Sequence, residues 1–133
     1  MSAQMQADTV GHEVSVTLGE DYPELREAVR RICQHYPTSY WRDLEKISGY
    51  PTDFVRDLTE AGFLSALIPE EYGGSGLPLR AAAVILEEIN ASGCTASSAH
   101  AQMYIMGTLL RHGSEEQKRK YLPRIASGEL RLQ

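Results

Sequence analysis

Cysteine is scarce in this chain: Cys33 and Cys94 are the only two in 133 residues. A pair so widely separated makes no disulfide framework, and both stand among apolar or small neighbours, the setting of buried thiols in a reducing compartment. Long apolar runs are missing, which excludes a bilayer-spanning helix. The opening MSAQMQADTVGHEVSV has neither the basic start nor the apolar stretch of a secretory leader, so a cytoplasmic protein is expected. Basic charge is not in excess either. The net charge of −5 gives a phosphate backbone nothing to gain from the overall field. The one local basic cluster, Lys118, Arg119, Lys120 and Arg124, follows directly on Glu115 and Glu116 and reads as a solvated helix face. No nucleic-acid partner is expected, and the chain shows no internal repeat or low-complexity tract.

Several chemistries are excluded by spacing. The four histidines, His12, His35, His100 and His112, never fall three or four residues from another His or from a Cys, so no helix face offers a paired metal site. Glu87 is followed three residues later by Asn90 rather than His, so the carboxylate-bridged di-iron signature is absent. Ser92, Ser97 and Ser98 lie outside any Gly-x-Ser-x-Gly elbow, which removes the common hydrolase arrangement. Glu70-Glu71, Glu87-Glu88 and Glu115-Glu116 are adjacent pairs. Neighbours on a helix point about 100° apart, so such pairs read as surface charge rather than acid/base partners. No catalytic residue and no metal ligand is assigned.

Hydrophobic residues make up 42% and charged residues 23%, enough for one globular domain with a core. Residues 1–21 carry no sustained period and read as a flexible N-terminal arm, in which 13-EVSVTL-18 has a short strand pattern. Pro23 suits the first turn of a helix, and Leu25, Ala28, Val29, Ile32 and Cys33 follow at helical spacing until Tyr36-Pro37. Thr38 or Ser39 is placed to cap a second helix carrying Trp41, Leu44 and Ile47. A third opens at Pro51-Thr52-Asp53, buries Phe54, Val55, Leu58 and Ala61, and stops at Gly62. Pro78 opens a long helix with Leu79, Ala82, Ala83, Leu86 and Ile89 inward. A fifth runs from near Thr95 to Arg111. Ser114-Glu115-Glu116-Gln117 is a capping box for a sixth, which carries Tyr121, Leu122 and Ile125 to Gly128. The reading is an all-α bundle-like domain of about six helices, with Leu130 and Leu132 alternating at the end as the start of a β-strand.

Two stretches stand out. Gly73-Gly74-Ser75-Gly76 is glycine-rich, but no Lys-Ser/Thr follows, so it reads as a sharp turn rather than a phosphate loop. The segment 94-CTASSAHAQMYIMG-107 begins almost entirely in small residues and continues with Gln102 and two methionines. Ser98, Ala99, Gln102 and Met103 fall on one side of that helix. Small residues admit a close backbone or a flat ligand, and methionines fill irregular apolar space. Tight helix packing and a binding wall are both consistent with this composition.

The ordered set 67-LIPEEYGGSGL-77, 86-LEEINASG-93 and 112-HGSEEQKRKYLPRIASGEL-130 resembles the N-terminal helical domain of the acyl-CoA dehydrogenases. Gly49-Tyr50-Pro51 stands where members often have Phe-Pro, Gly62-Phe63 where they close the next helix, and His100 where many carry a histidine after small residues. The resemblance covers roughly residues 22–133 and divides the chain into an arm over 1–21, the helical domain over 22–128 and the opening of a middle β domain over 129–133.

The resemblance implies an FAD-dependent enzyme that oxidises the Cα–Cβ bond of an acyl-CoA thioester, with a glutamate taking the α-proton and the flavin the hydride. In such an enzyme the fifth helix lines the acyl pocket, which makes Ser98, Ala99, Gln102 and Met103 the expected substrate-binding residues. The family's Thr-Glu or Ser-Glu flavin motif comes after the point where this sequence stops, and no glutamate here matches the base. The sequence therefore looks like an acyl-CoA dehydrogenase cut at a domain boundary or one half of a split flavoenzyme, inactive alone. Its expected partners are acyl-CoA and the remaining enzyme domains or a second subunit, with self-association through uncovered apolar surface. A non-enzymatic α-helical interaction module is the alternative, and acyl-chain preference, the electron acceptor and the choice between dehydrogenase and oxidase stay open.

Overall fold

The computed structural model describes residues 4–8, 13–17 and 19–131, with side chains described over 19–131. Two short strands, β1 (Gln4–Asp8) and β2 (Glu13–Thr17), pair antiparallel with Met5 opposite Val16. Of the strand pattern in the arm, Leu18 lies outside the described residues. The rest is helical: α1 (Pro23–Cys33), α2 (Thr38–Lys46), α3 (Thr52–Glu60), α4 (Leu79–Ala91), α5 (Ser97–His112) and α6 (Glu115–Ala126). Single 3-10 turns at Phe63–Ser65 and Glu70–Tyr72 fill the passage from α3 to α4. The all-α reading stands for this domain.

Local chemistry accounts for the boundaries. Pro23 occupies the first turn of α1, where its missing N–H costs nothing. Gly62, Gly93 and Gly128 adopt positive φ at the ends of α3, α4 and α6, a conformation glycine takes without a Cβ penalty. Ser114 accepts from the Gln117 backbone N–H at 3.1 Å while the Gln117 side chain accepts from the Ser114 N–H at 2.9 Å, completing the capping box of α6. Thr38 and Ser39 do not cap α2: the helix begins at Thr38 and the flanking residue is Pro37. α5 begins at Ser97, two residues later than Thr95, and ends at His112.

The core lies where α1, α3, α4, α5 and α6 converge. Val29, Phe54, Val55, Leu58, Ile85, Ile89, Met106, Leu122 and Ile125 are fully enclosed there. Each such side chain contributes roughly 1.5–3 kcal/mol relative to exposure. Tyr36, Tyr40, Trp41 and Phe54 form an edge-to-face chain with ring centroids 4.9 to 5.2 Å apart, which seats α2 on the end of α1 and on α3. The Trp41 indole N–H donates to the Tyr36 carbonyl at 3.1 Å.

Four expectations change. Ala61 is exposed rather than on the inner stripe of α3, because the helix ends at Glu60 and only Phe54, Val55 and Leu58 are buried along it. Leu79 is 75% exposed rather than inward, because α4 turns Ala81, Ala82, Val84, Ile85 and Ile89 inward instead. Ile47 is likewise exposed, since α2 ends at Lys46 and Ile47 lies beyond its last turn. At the other end, Leu130 and Arg131 are irregular, and Leu132 and Gln133 lie outside the described residues, so the closing strand is not seen. The Leu130 N–H instead donates back to the Arg124 carbonyl at 3.0 Å.

Candidate functional site

α5 carries the small-residue stretch, and its two sides differ. Ser98, Ala99, Gln102 and Met103 lie together on the inward side and all are buried, as their spacing on a 3.6-residue period requires. Ala99 and Met103 belong to the hydrophobic core. Gln102 is 2% exposed, so its amide must be satisfied internally. Its Nε2 donates to the Leu130 carbonyl at 3.1 Å, which fastens the segment after α6 across the middle of α5.

The outward side of α5 carries Ser97, His100, Tyr104 and Thr108. The rings of His100 and Tyr104 meet edge to face, 5.6 Å between centroids. Next to them runs an apolar groove of about 560 Å³ lined by Tyr104, Ile105, Thr108, Leu109, Tyr121 and Leu130. A second, more polar cleft of about 520 Å³ separates α2 from the start of α5, with Trp41, Arg42 and Glu45 on one wall and Thr95 and Ser97 on the other.

The glycine-rich turn is occupied by its own backbone. The N–H groups of Gly73, Gly74, Ser75, Gly76 and Leu77 donate to the carbonyls of Glu70, Pro69, Ser65, Ile68 and Ala66 respectively. A loop whose amides are all engaged in this way has none left to cradle a phosphate. Its role is geometric. A Cβ on Gly74 would sit 2.0 Å from the Ile68 carbonyl oxygen, so only glycine permits this approach.

The paired glutamates separate in role. Glu88 is 7% exposed and faces Arg26, itself 2% exposed, at 3.1 Å. Arg30 reaches Glu88 at 2.8 Å. Glu87 and Asp21 each pair with both Arg26 and Arg80 at 2.6 to 2.9 Å. Hydrogen bonds from Arg30, and then from Arg26, hold the Glu88 carboxyl below the usual carboxylate range despite its burial. For Glu87 the opposing burial is the largest influence, and the hydrogen bonds from Arg80 and Arg26 outweigh it, again lowering the pKa. Carboxylates pinned and acidified in this way are poor proton acceptors, so the cluster is structural. It overturns the expectation that Glu87 and Glu88 are plain surface charge. The signal was present in the sequence: Arg26 falls at helical spacing with the buried Val29 and Cys33, and Glu88 falls between Ile85 and Ile89.

Among the described residues no group of three His, Cys, Asp or Glu is placed to hold a metal ion, and no helix is long and apolar enough to cross a membrane. What the arrangement offers is a helix packed on its inward side by small and flexible side chains, with an apolar groove beside it.

The comparisons with known proteins agree with this architecture. The family model for "Acyl-CoA dehydrogenase, N-terminal domain" matches residues 19–129. The mitochondrial isovaleryl-CoA dehydrogenase of Pongo abelii is 34% identical over 117 residues, 84% of this chain and 27% of that protein. A probable acyl-CoA dehydrogenase of Mycobacterium leprae is 33% identical over 112 residues, 83% of this chain and 28% of that protein. The crystal structure of an acyl-CoA dehydrogenase from Geobacillus kaustophilus superposes with a TM-score of 0.74 at 30% identity, covering 86% of this chain and 30% of that one. The chain thus spans less than a third of the length of these relatives.

Proposed function

The chain belongs to the acyl-CoA dehydrogenase family, as its N-terminal domain, and from that premise we propose that it supplies one wall of the acyl pocket in an FAD-dependent enzyme that α,β-dehydrogenates an acyl-CoA thioester. The observation that carries this reading is the match over residues 19–129 to the family's N-terminal domain. Ser98, Ala99, Gln102 and Met103, the residues expected to line that pocket, are buried against this domain's own core, so they back the wall from inside rather than touch the acyl group. Their role is to hold α5 in place.

The flavin does not fit the residues described in this chain. The one glycine-rich turn has its amides engaged, and the carboxylates facing the α1–α4 seam are pinned by arginines. On this reading the cofactor and the proton-abstracting base are supplied by other domains, on the same polypeptide or on a second subunit. A site assembled from several domains loses most of its contacts when one stands alone, so the isolated domain is inactive. Apolar surface along Tyr104, Ile105 and Tyr121 favours association with those domains or with a second copy.

The test is to purify the chain together with the polypeptide encoded beyond Gln133 or by an adjacent gene, and to add acyl-CoA esters of graded length without oxygen. Bound flavin that bleaches with at least one ester is the expected result. An assembly that holds no flavin, or whose flavin no acyl-CoA bleaches, overturns the assignment and favours a non-enzymatic helical interaction module.

A further inference from the structure

α1 ends at Cys33, and the turn leading from α4 into α5 carries Cys94, so the fold brings together two thiols 61 positions apart in sequence. The Cys94 thiol lies 3.6 Å from the Tyr36 carbonyl oxygen and 3.8 Å from that of Cys33, which sets its sulfur against the last turn of α1. Both cysteines are buried and neither is bonded. The Cys33 side chain faces the same turn, where it interacts with Ser92 and with Cys94. Burial is the main cause that pushes the Cys33 thiol up to about 12, and Cys94 adds to it by charge and by a hydrogen bond. A thiol so raised is almost wholly protonated at neutral pH, so the closed pair is slow to react. Cys94 has a route to solvent, however. Its neighbours Ser92, Gly93 and Thr95 are exposed, and Gly93, at positive φ, has nothing packed within 4 Å of where a Cβ would stand.

We propose that Cys33 and Cys94 form a redox-sensitive clamp, which a low-molecular-weight disulfide oxidises to an intramolecular disulfide tying the end of α1 to the turn that enters α5. The Cys94 thiolate, formed as the turn opens, attacks the oxidant, and one thiol leaves. Cys33 then attacks the Cys94 sulfur of the mixed disulfide and a second thiol leaves. The chain gives up two electrons and two protons, and the oxidant disulfide is reduced to two thiols. The new bond closes a long loop and fixes the start of α5, the helix that carries Ser98 and Ala99. This inference does not depend on the enzyme's reaction.

The probe is oxidised glutathione, added to the folded 133-residue chain. The expected product is lighter than the reduced chain by two hydrogens, carries no glutathione, and joins the Cys33 and Cys94 peptides in a digest. Its melting midpoint rises by roughly 10 °C and returns on reduction. Cys33→Ser is expected to retain one glutathione on Cys94 with no rise in melting midpoint. If that variant fails to fold, Cys94→Ser, which lacks the attacking thiol, is expected to take up no glutathione and to show no rise in melting midpoint. Stable glutathione on both thiols of the wild-type chain overturns the proposal. So do two thiols left free after an exposure that fully oxidises the urea-unfolded chain.

Discussion

The Gln102 side-chain amide donates to the Leu130 carbonyl across 28 positions of sequence, at 3.1 Å. This bond joins the middle of α5 to the segment that follows α6, so the two are held together. Leu130 also lines the apolar groove beside Tyr104 and Tyr121, which places the exit on a surface suited to further packing.

Gln102→Leu keeps the volume and removes the donor. The expected cost is about 1 kcal/mol, because the half-exposed Leu130 carbonyl can turn to water. Hydrogen exchange should speed up at residues 128–131 and stay unchanged in the interior of α4. Unchanged exchange at 128–131 would show that the Gln102 bond does not hold the segment.

Glu88→Ala leaves Arg26 buried with one partner fewer, which is expected to cost about 3 kcal/mol in urea unfolding. The same cluster sets an acid limit. Asp21, Glu87 and Glu88 all have folded pKa values below their unfolded ones, Asp21 chiefly through its hydrogen bond from Arg80. Their contribution is fully present above the unfolded carboxylate pKa of about 4 and is lost as pH falls below it. The melting midpoint of the wild-type chain should therefore drop between pH 5 and pH 3, each value approximate, and Glu88→Ala should drop less steeply.

Gly74→Ala and Gly107→Ala make a matched pair. The first drives a methyl into the Ile68 backbone and is expected to cost 3 kcal/mol or more, roughly the scale of a severe core clash. The second meets nothing within 4 Å inside α5 and should stabilise by about 0.5–1 kcal/mol through helix propensity. Equal melting midpoints for the two would contradict the tight-turn account of the glycine-rich loop.

How much of this was legible beforehand depends on which physical signal each element carries. α3 and α6 were readable because apolar period, glycine stop and, for α6, the Ser114–Gln117 capping box all agree. An apolar residue at a helix end or just past it, such as Leu79, Ile47 or Ala61, can match the period and still point to solvent. Arg26 and Glu88 were missed because single-helix periodicity shows a charge on an inner stripe but not its opposite across the seam. The grouping of Ser98, Ala99, Gln102 and Met103 followed from spacing. That Gln102 is satisfied by Leu130 did not, since it needs the path of the chain after Gly128.

The most direct measurement is acceptor-dye reduction by the purified 133-residue chain supplied with FAD and an acyl-CoA. If the chain is one wall of a site completed by other domains, it retains no flavin through gel filtration and shows no steady reduction above the free-flavin background. Sustained turnover by the chain alone would contradict that account, because it would place flavin binding and proton abstraction within these residues.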